Sequence, residues 1–236
     1  MPQGALVEVA SLLFRWPSAS TPCLDIERLT IDAGERVFLF GPSGSGKSTL
    51  LALLGGVLTA ERGSVRVLGT DLTSVAGRDR FRVDHVGFIF QQFNLVPYLS
   101  IVQNVLLPCR FSSKRARKAV ETDGSPLDAA LHLLDSMGLG ASLRERKATD
   151  LSVGQQQRVA AARALIGAPE LIIADEPTSS LDADARQAFL RLLRGQCDRF
   201  ASTLLFVSHD RQLAATFDRA VDLPAINRVV PDGSTR

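Results

Sequence analysis

The sequence predicts an α/β fold: a mostly parallel sheet core, a small antiparallel β portion near the N-terminus and an inserted helical subdomain. Three observations predict it. Short apolar runs bounded by Gly, Pro or Asp recur at RVFLF (36–40), HVGFIF (85–90), LIIAD (171–175) and TLLFVSHD (203–210), which is the pattern of buried strands. Helical patterns lie between these runs, and strands alternating with helices imply parallel pairing. Near the N-terminus, LVEVASLLF, CLDIERLTIDAGE and SVRVLG alternate polar and apolar residues more strictly, as antiparallel strands with one solvated face do.

Taken in order, the antiparallel segments come first, followed by RVFLF and the helical pattern TLLALLGGVL. After HVGFIF, residues 92–165 hold mostly helical patterns, LDAALHLLDSMGL among them. They are read as the helical subdomain, with residues 1–91 and 166–228 forming the core around it in a single domain of 236 residues. The last of these helices is marked at both ends. Ser152 stands at an N-cap position, Gln155 follows in capping-box spacing, and Val159, Ala162, Leu165 and Ile166 line one face. Gly167 suits a left-handed C′ residue, and Pro169 cannot continue the helix. LIIAD, the helical pattern ADARQAFLRLLRGQ and TLLFVSHD complete the fold, and the tail VVPDGSTR is expected to fray.

Gly154 in the first turn of that marked helix gives up about 1 kcal/mol of helix propensity relative to alanine. Either the loss is incidental or something must approach the backbone there. A helix N-terminus has free N–H groups and a positive dipole end, so a phosphate is one candidate.

Composition narrows the class. A chain that is 45% hydrophobic can bury a large core and is not disordered. A net charge of +2 is too near balance to imply a nucleic-acid partner. The basic cluster Lys114, Arg115, Arg117 and Lys118 is read as a solvated face. Cys23, Cys109 and Cys197 are scattered, odd in number and without metal-ligand spacing, which fits reduced thiols in a cytosolic protein. No signal-peptide pattern opens the sequence, and the longest apolar stretch, TLLALLGGVLTA, is shorter than the ~20 residues of a membrane span. His85 and His132 sit within strand and helix patterns and are read as structural.

The chemistry concentrates at GPSGSGKS, Gly41–Ser48, between a strand and a helix, the context in which a G-x-x-x-x-G-K-S match becomes specific. Its glycines let backbone N–H groups wrap phosphate oxygens, Lys47 reaches the β- and γ-phosphates, and the Ser48 hydroxyl holds Mg²⁺. Asp175, at the end of LIIA, supplies the carboxylate that such a metal needs, and Glu176 follows it.

With GPSGSGKS, LSVGQ, LIIADEPT, SSLD and SHD in this order, the chain resembles an ATP-binding cassette ATPase, the nucleotide-binding subunit of an ABC transporter. The resemblance covers the chain from about Trp16 to His209, and it makes the expected fold a P-loop NTPase of ABC type. It implies an ATP site built from Gly41, Pro42, Ser43, Gly44, Ser45, Gly46, Lys47, Ser48 and Thr49, with Mg²⁺ held by Ser48, Gln91 and Asp175. Gln91 then touches the metal and the attacking water, Glu176 polarises that water, and His209 meets the γ-phosphate. Trp16 matches the aromatic that stacks on adenine, with Phe14 as the competing candidate. The resemblance also implies a head-to-tail homodimer in which Ser152, Gly154 and Gln155 of one copy meet the γ-phosphate held by the other, and Asp182 crosses between copies. On this reading Gly154 exists to let the backbone approach. One departure is Val153, where the family most often has glycine. Its bulk bears on how tightly the sandwich closes.

FNLVPYLSIVQNVLLP (93–108) is apolar enough either to be core or to line a groove for a partner's helix. In ABC transporters this region receives the membrane subunit. FQQFNLVP, QQQRVAAARAL and ADEPTSSLD are similar to the lipoprotein-release and macrolide-export branch, whose partners are FtsX-like permeases. The expectation is therefore an ATPase bound through an integral-membrane permease to the cytoplasmic face of the membrane and powering export or extraction. The alternative class is a soluble ABC ATPase acting on nucleic acid or ribosomes.

Overall fold

A computed structural model of the protein describes residues 4–73 and 76–229. The chain forms two compact units, Met1–Asp79 with Phe206–Arg236, and Arg80–Leu205. The expected fraying at VVPDGSTR falls on residues 230–236, outside the described residues.

In the first unit, β1 (Ala5–Phe14) pairs antiparallel with β2 (Leu24–Asp32) in a register that sets Val9 opposite Leu29. Then come β3 (Arg36–Phe40), α1 (Lys47–Leu54), β4 (Arg62–Val67) and β5 (Thr70–Asp71). β4 pairs antiparallel with the other edge of β1, and the sheet order is β2-β1-β4-β5. Alternation in β1 follows burial, with Val7 and Val9 inside and Glu8 outside. The β1–β4 register shifts between Ala10 and Leu13, where Ser11 turns left-handed. A Cβ on Gly63 would lie 2.2 Å from Ser11 O, so this bulge requires a glycine opposite it.

α2 (Arg78–His85) leads into the second unit, followed by β6 (Val86–Ile89), α3 (Ile101–Phe111), α4 (Ser113–Asp123), α5 (Pro126–Ser136) and α6 (Val153–Leu165). β7 (Leu171–Asp175) pairs in parallel with β6, and α7 (Ala183–Phe200) precedes β8 (Thr203–Val207), which returns the chain to the first unit. There β9 (Arg219–Asp222) pairs in parallel with β3, before α8 (Leu223–Ile226). The C-terminal turn of α6 lies against β6 so closely that a Cβ on Gly87 would be 2.3 Å from Ala164 O. Phe38, Phe206 and Phe217 pack as a ring cluster in the first unit's core.

The basic cluster on α4 is not a solvated face. Arg115 is 3% exposed, and its guanidinium donates to Ile166 O (2.8 Å) and Ala164 O (2.5 Å), carbonyls that the end of α6 leaves without intrahelical donors. A cation there also complements the negative end of the helix dipole. Burial pulls the Arg115 guanidinium down to about 10, which leaves it charged at neutral pH. Lys114 and Lys118 each donate to Glu170 Oε1 at 2.9 Å, while His85 Nδ1 lies 3.0 Å from Glu170 Oε2. Burial raises the Glu170 carboxyl, but bonds from His85, Lys114 and Lys118 outweigh it and hold the group below the ordinary carboxylate range. Of the four basic residues only Arg117 is exposed.

Candidate functional site

The loop between β3 and α1 is shaped by two left-handed glycines, Gly44 (φ 78°) and Gly46 (φ 96°). Gly46 is the N-cap of α1 and supplies no side-chain cap, and the first turn carries no acidic residue. The helix N-terminus is therefore left to a ligand anion. A Cβ on Gly41 would come within 2.9 Å of Pro224 Cδ, and Gly46 holds φ 96° with Leu24 Cδ2 2.7 Å from where a Cβ would stand, so a side chain at either position would be strained. Lys47 is buried, and its Nζ donates to Gly41 O (3.0 Å) and Pro42 O (2.9 Å), which hold the ammonium over the loop. Ser45 Oγ is buried without a hydrogen-bond partner among the described residues. An orphaned hydroxyl, a held cation and uncapped N–H groups in one loop fit a phosphate chain. Pro42, Ser43 and Ser48 face solvent, whereas Thr49 is buried and its Oγ1 accepts from the Cys23 thiol.

Residues 24–179 match the family described as ABC transporter. The chain belongs to that family. It is 44% identical over 92% of its length to a lipoprotein-releasing system ATP-binding protein of Anaeromyxobacter dehalogenans, covering 88% of that protein. It is 41% identical over 85% of its length to a macrolide export ATP-binding/permease protein of Rhodopirellula baltica, a longer chain of which it covers 29%. The dimeric post-hydrolysis structure of the ATP-binding cassette MJ0796, bound to ADP and Pi, superposes with a TM-score of 0.78 at 33% identity, covering 92% of this chain and 93% of that one. The protein is thus an ABC ATPase that binds and hydrolyses ATP.

The predicted site residues of this ABC ATPase divide between its two units. With the phosphate loop in the first unit are His209, exposed just beyond β8, and Trp16. Trp16 is 43% exposed and stands edge-on to Phe14 at 5.2 Å, whereas Phe14 is 6% exposed. Of the two adenine candidates, only Trp16 is exposed.

The second unit carries the others. Asp175 ends β7, and Glu176 follows with φ 44°, a left-handed conformation that costs a non-glycine residue about 1–3 kcal/mol. Strain of that size on a carboxylate just past a buried strand is the kind held at functional positions. Asp182 accepts from Ala185 N at 2.8 Å and caps α7, a local role in addition to the predicted one. Gln91 is exposed in the turn after β6. Among the described residues no group of three or more His, Cys, Asp or Glu side chains is placed to hold a metal by itself. The Asp175 carboxylate is the kind of oxygen donor that Mg²⁺ takes, since that ion binds through one or two carboxylates with bound phosphates and waters.

α6 opens with the predicted capping box. Ser152 Oγ accepts from Gln155 N (3.3 Å), and Gln155 Oε1 accepts from Ser152 N (3.0 Å). Val153 is 48% exposed. A Cβ on Gly154 would meet only Leu181 Cδ2, at an ordinary 3.8 Å, so packing within the chain does not demand glycine there.

In the segment expected to be core or groove, Phe93, Ile101 and Val105 are buried while Tyr98 is 74% exposed. Asn104, fully buried, fixes the turn between: its Oδ1 accepts from Val96 N at 2.8 Å and its Nδ2 donates to Val96 O and Ser100 O. Arg115 was misplaced on a solvated face, and Arg163 was not singled out in the sequence. For Arg163 the available signal was a charged residue set in an alanine-rich helical pattern, AAARAL.

Proposed function

We propose that two copies of this ABC ATPase close head to tail on two ATP molecules and power export or extraction through a separate FtsX-like permease at the cytoplasmic face of the membrane. The observation that carries the dimer is Gly154: a glycine in the first turn of a capped helix, beside the exposed Ser152 and Val153, where a Cβ would make only an ordinary 3.8 Å contact with Leu181 Cδ2. Its own chain has no use for it, whereas a phosphate brought by a second copy does. Support for the permease and for export comes from the relatives, which are named for lipoprotein release and macrolide export. No helix among the described residues is long and apolar enough to cross a membrane.

In this reading Lys47 neutralises charge on the β- and γ-phosphates, and Ser45 Oγ and the loop N–H groups donate to their oxygens. Ser48, Gln91 and Asp175 would hold Mg²⁺, which would supply positive charge against the charge that develops on the leaving group. Glu176 accepts a hydrogen bond from the water that attacks the γ-phosphorus, and Gln91 and His209 fix that water and the γ-phosphate. Trp16 stacks on the adenine. Ser152, Gly154 and Gln155 of the partner subunit complete the phosphate's surroundings, with Asp182 at the seam.

The test has two parts. Pull-down of the tagged protein from solubilised membranes should recover an integral-membrane permease. Glu176→Gln should dimerise in light scattering with MgATP and not with ADP. A monomer at saturating MgATP would sink the head-to-tail model, and recovery of only soluble or ribosomal partners would sink the transporter assignment.

A further inference from the structure

Arg163 lies in the last turns of α6, ten residues beyond Val153, or about 15 Å along the helix axis. Its side chain leaves the helix for the turn after β6. Nη1 donates to Asn94 O and Nη2 to Phe93 O, each at 2.6 Å. Both acceptors are left-handed, Phe93 at φ 58° and Asn94 at φ 49°. Asparagine tolerates this conformation, while phenylalanine gains nothing from its side chain to offset the cost. The bend is tight: Asn94 N donates to Gln92 O at 2.6 Å and Phe93 N to Phe90 O at 3.0 Å, which places Gln91 inside it. Two consecutive left-handed residues present successive carbonyls that a planar guanidinium spans at once. A lysine ammonium, a point charge on a flexible stem, does not reproduce that fork.

We propose that Arg163 is a positioning residue for Gln91. Its guanidinium clamps the Phe93–Asn94 bend and fixes the Gln91 turn to the helix that begins at Ser152 and Gly154. The two nucleotide-facing segments of this unit then move as one piece, because a continuous α-helix joins the clamp to the first turn. Displacing Gln91 displaces the turn that meets the partner's phosphate. The inference rests on the proposed role of Gln91 at the metal and the attacking water.

The test uses the full-length ATPase and compares Arg163→Met, Arg163→Lys, Asn94→Gly, Gln91→Ala and the double variant Arg163→Met/Asn94→Gly. Arg163→Met should lower kcat by about tenfold to a hundredfold while nucleotide affinity holds, since positional errors of about 1 Å cost rates of that order. Arg163→Lys should fall in between, and it carries the test if Arg163→Met does not fold. Asn94→Gly should restore much of the lost turnover in the methionine background, because glycine holds the left-handed bend without a clamp. A purely packing role for Arg163 predicts no such rescue. Hydrogen exchange at the amides of residues 92–96 reads the clamp without reference to catalysis and should quicken in Arg163→Met. Wild-type turnover in Gln91→Ala would overturn the reading of Gln91, and the exchange rates would then decide the clamp alone. Unchanged exchange in Arg163→Met and Arg163→Lys, or lost turnover that Asn94→Gly does not rescue, would overturn the proposal.

Discussion

Gly154→Ala should make this protein more stable and less active at once. Alanine exceeds glycine in helix propensity by about 0.8–1 kcal/mol in a helix interior, and a first-turn position keeps roughly half to all of that. The new methyl meets Leu181 Cδ2 at 3.8 Å, an ordinary contact that adds about 0.1–0.2 kcal/mol and no strain. The sum is a gain of about 0.5–1 kcal/mol, or roughly 1–4 °C in Tm for a chain of this size. In the proposed head-to-tail dimer the same methyl would stand on the turn that meets the other copy's phosphate. Holding the two copies apart by even ~1 Å should lower turnover by about a hundredfold. Thermal melts without nucleotide read the first effect, and phosphate release from the permease complex reads the second. Gly167→Ala is the internal contrast: at φ 69°, with a Cβ 2.6 Å from Arg115 Cβ and Arg115 O, it should cost about 3 kcal/mol or more. A lower Tm for Gly154→Ala would mean that the chain itself needs this glycine. Wild-type turnover would mean that no phosphate approaches it. Either result refutes the reasoning.

Glu176→Gln should lower kcat by about 10²–10⁴-fold with ATP affinity retained, whereas Lys47→Ala should weaken ATP binding itself; titrating nucleotide and measuring phosphate release on both variants separates the roles. Val153→Gly should leave ATP binding to the isolated subunit unchanged and raise turnover modestly, and equal or lower turnover would show that the exposed valine is compatible with tight closure. Glu170→Gln should destabilise the protein at pH 7 by about 1–3 kcal/mol, since the Lys114 and Lys118 ammonium groups and the His85 ring lose their charged partner. Because folding depresses the Glu170 pKa, this stabilisation is complete above the ordinary carboxyl value of 4.5 and fades as pH falls through the lower folded value. Urea melts of both proteins should therefore converge on acidification, and a gap constant with pH would contradict the ion cluster.

Local signals carried much of the structure. RVFLF and LIIAD read as strands with the bounds that β3 and β7 show, because a short apolar run between breakers has few other uses. Ser152, Gln155 and Gly167 marked α6 for the same reason: capping is chemistry between neighbours, and the capping box and the left-handed Gly167 are both present. The phosphate loop was legible because its glycines, lysine and hydroxyls are contiguous. Arg115 was not, since charge in sequence says nothing about which carbonyls lie across a fold, and the acceptors that bury it are about fifty residues away.

By itself, then, the sequence determined the alternation of strands and helices, the helix ends, the phosphate loop and the family, all of which rest on neighbouring residues or on motifs a few residues long. Only the tertiary structure decided which cations are buried, that Trp16 rather than Phe14 is exposed, that a Cβ on Gly154 would make no close contact within the chain, and that Arg163 reaches the carbonyls of two left-handed residues some seventy residues earlier. These are long-range facts. A guanidinium or a missing Cβ has its value set by what the fold brings to within a few ångströms of it, and no local pattern records that distance.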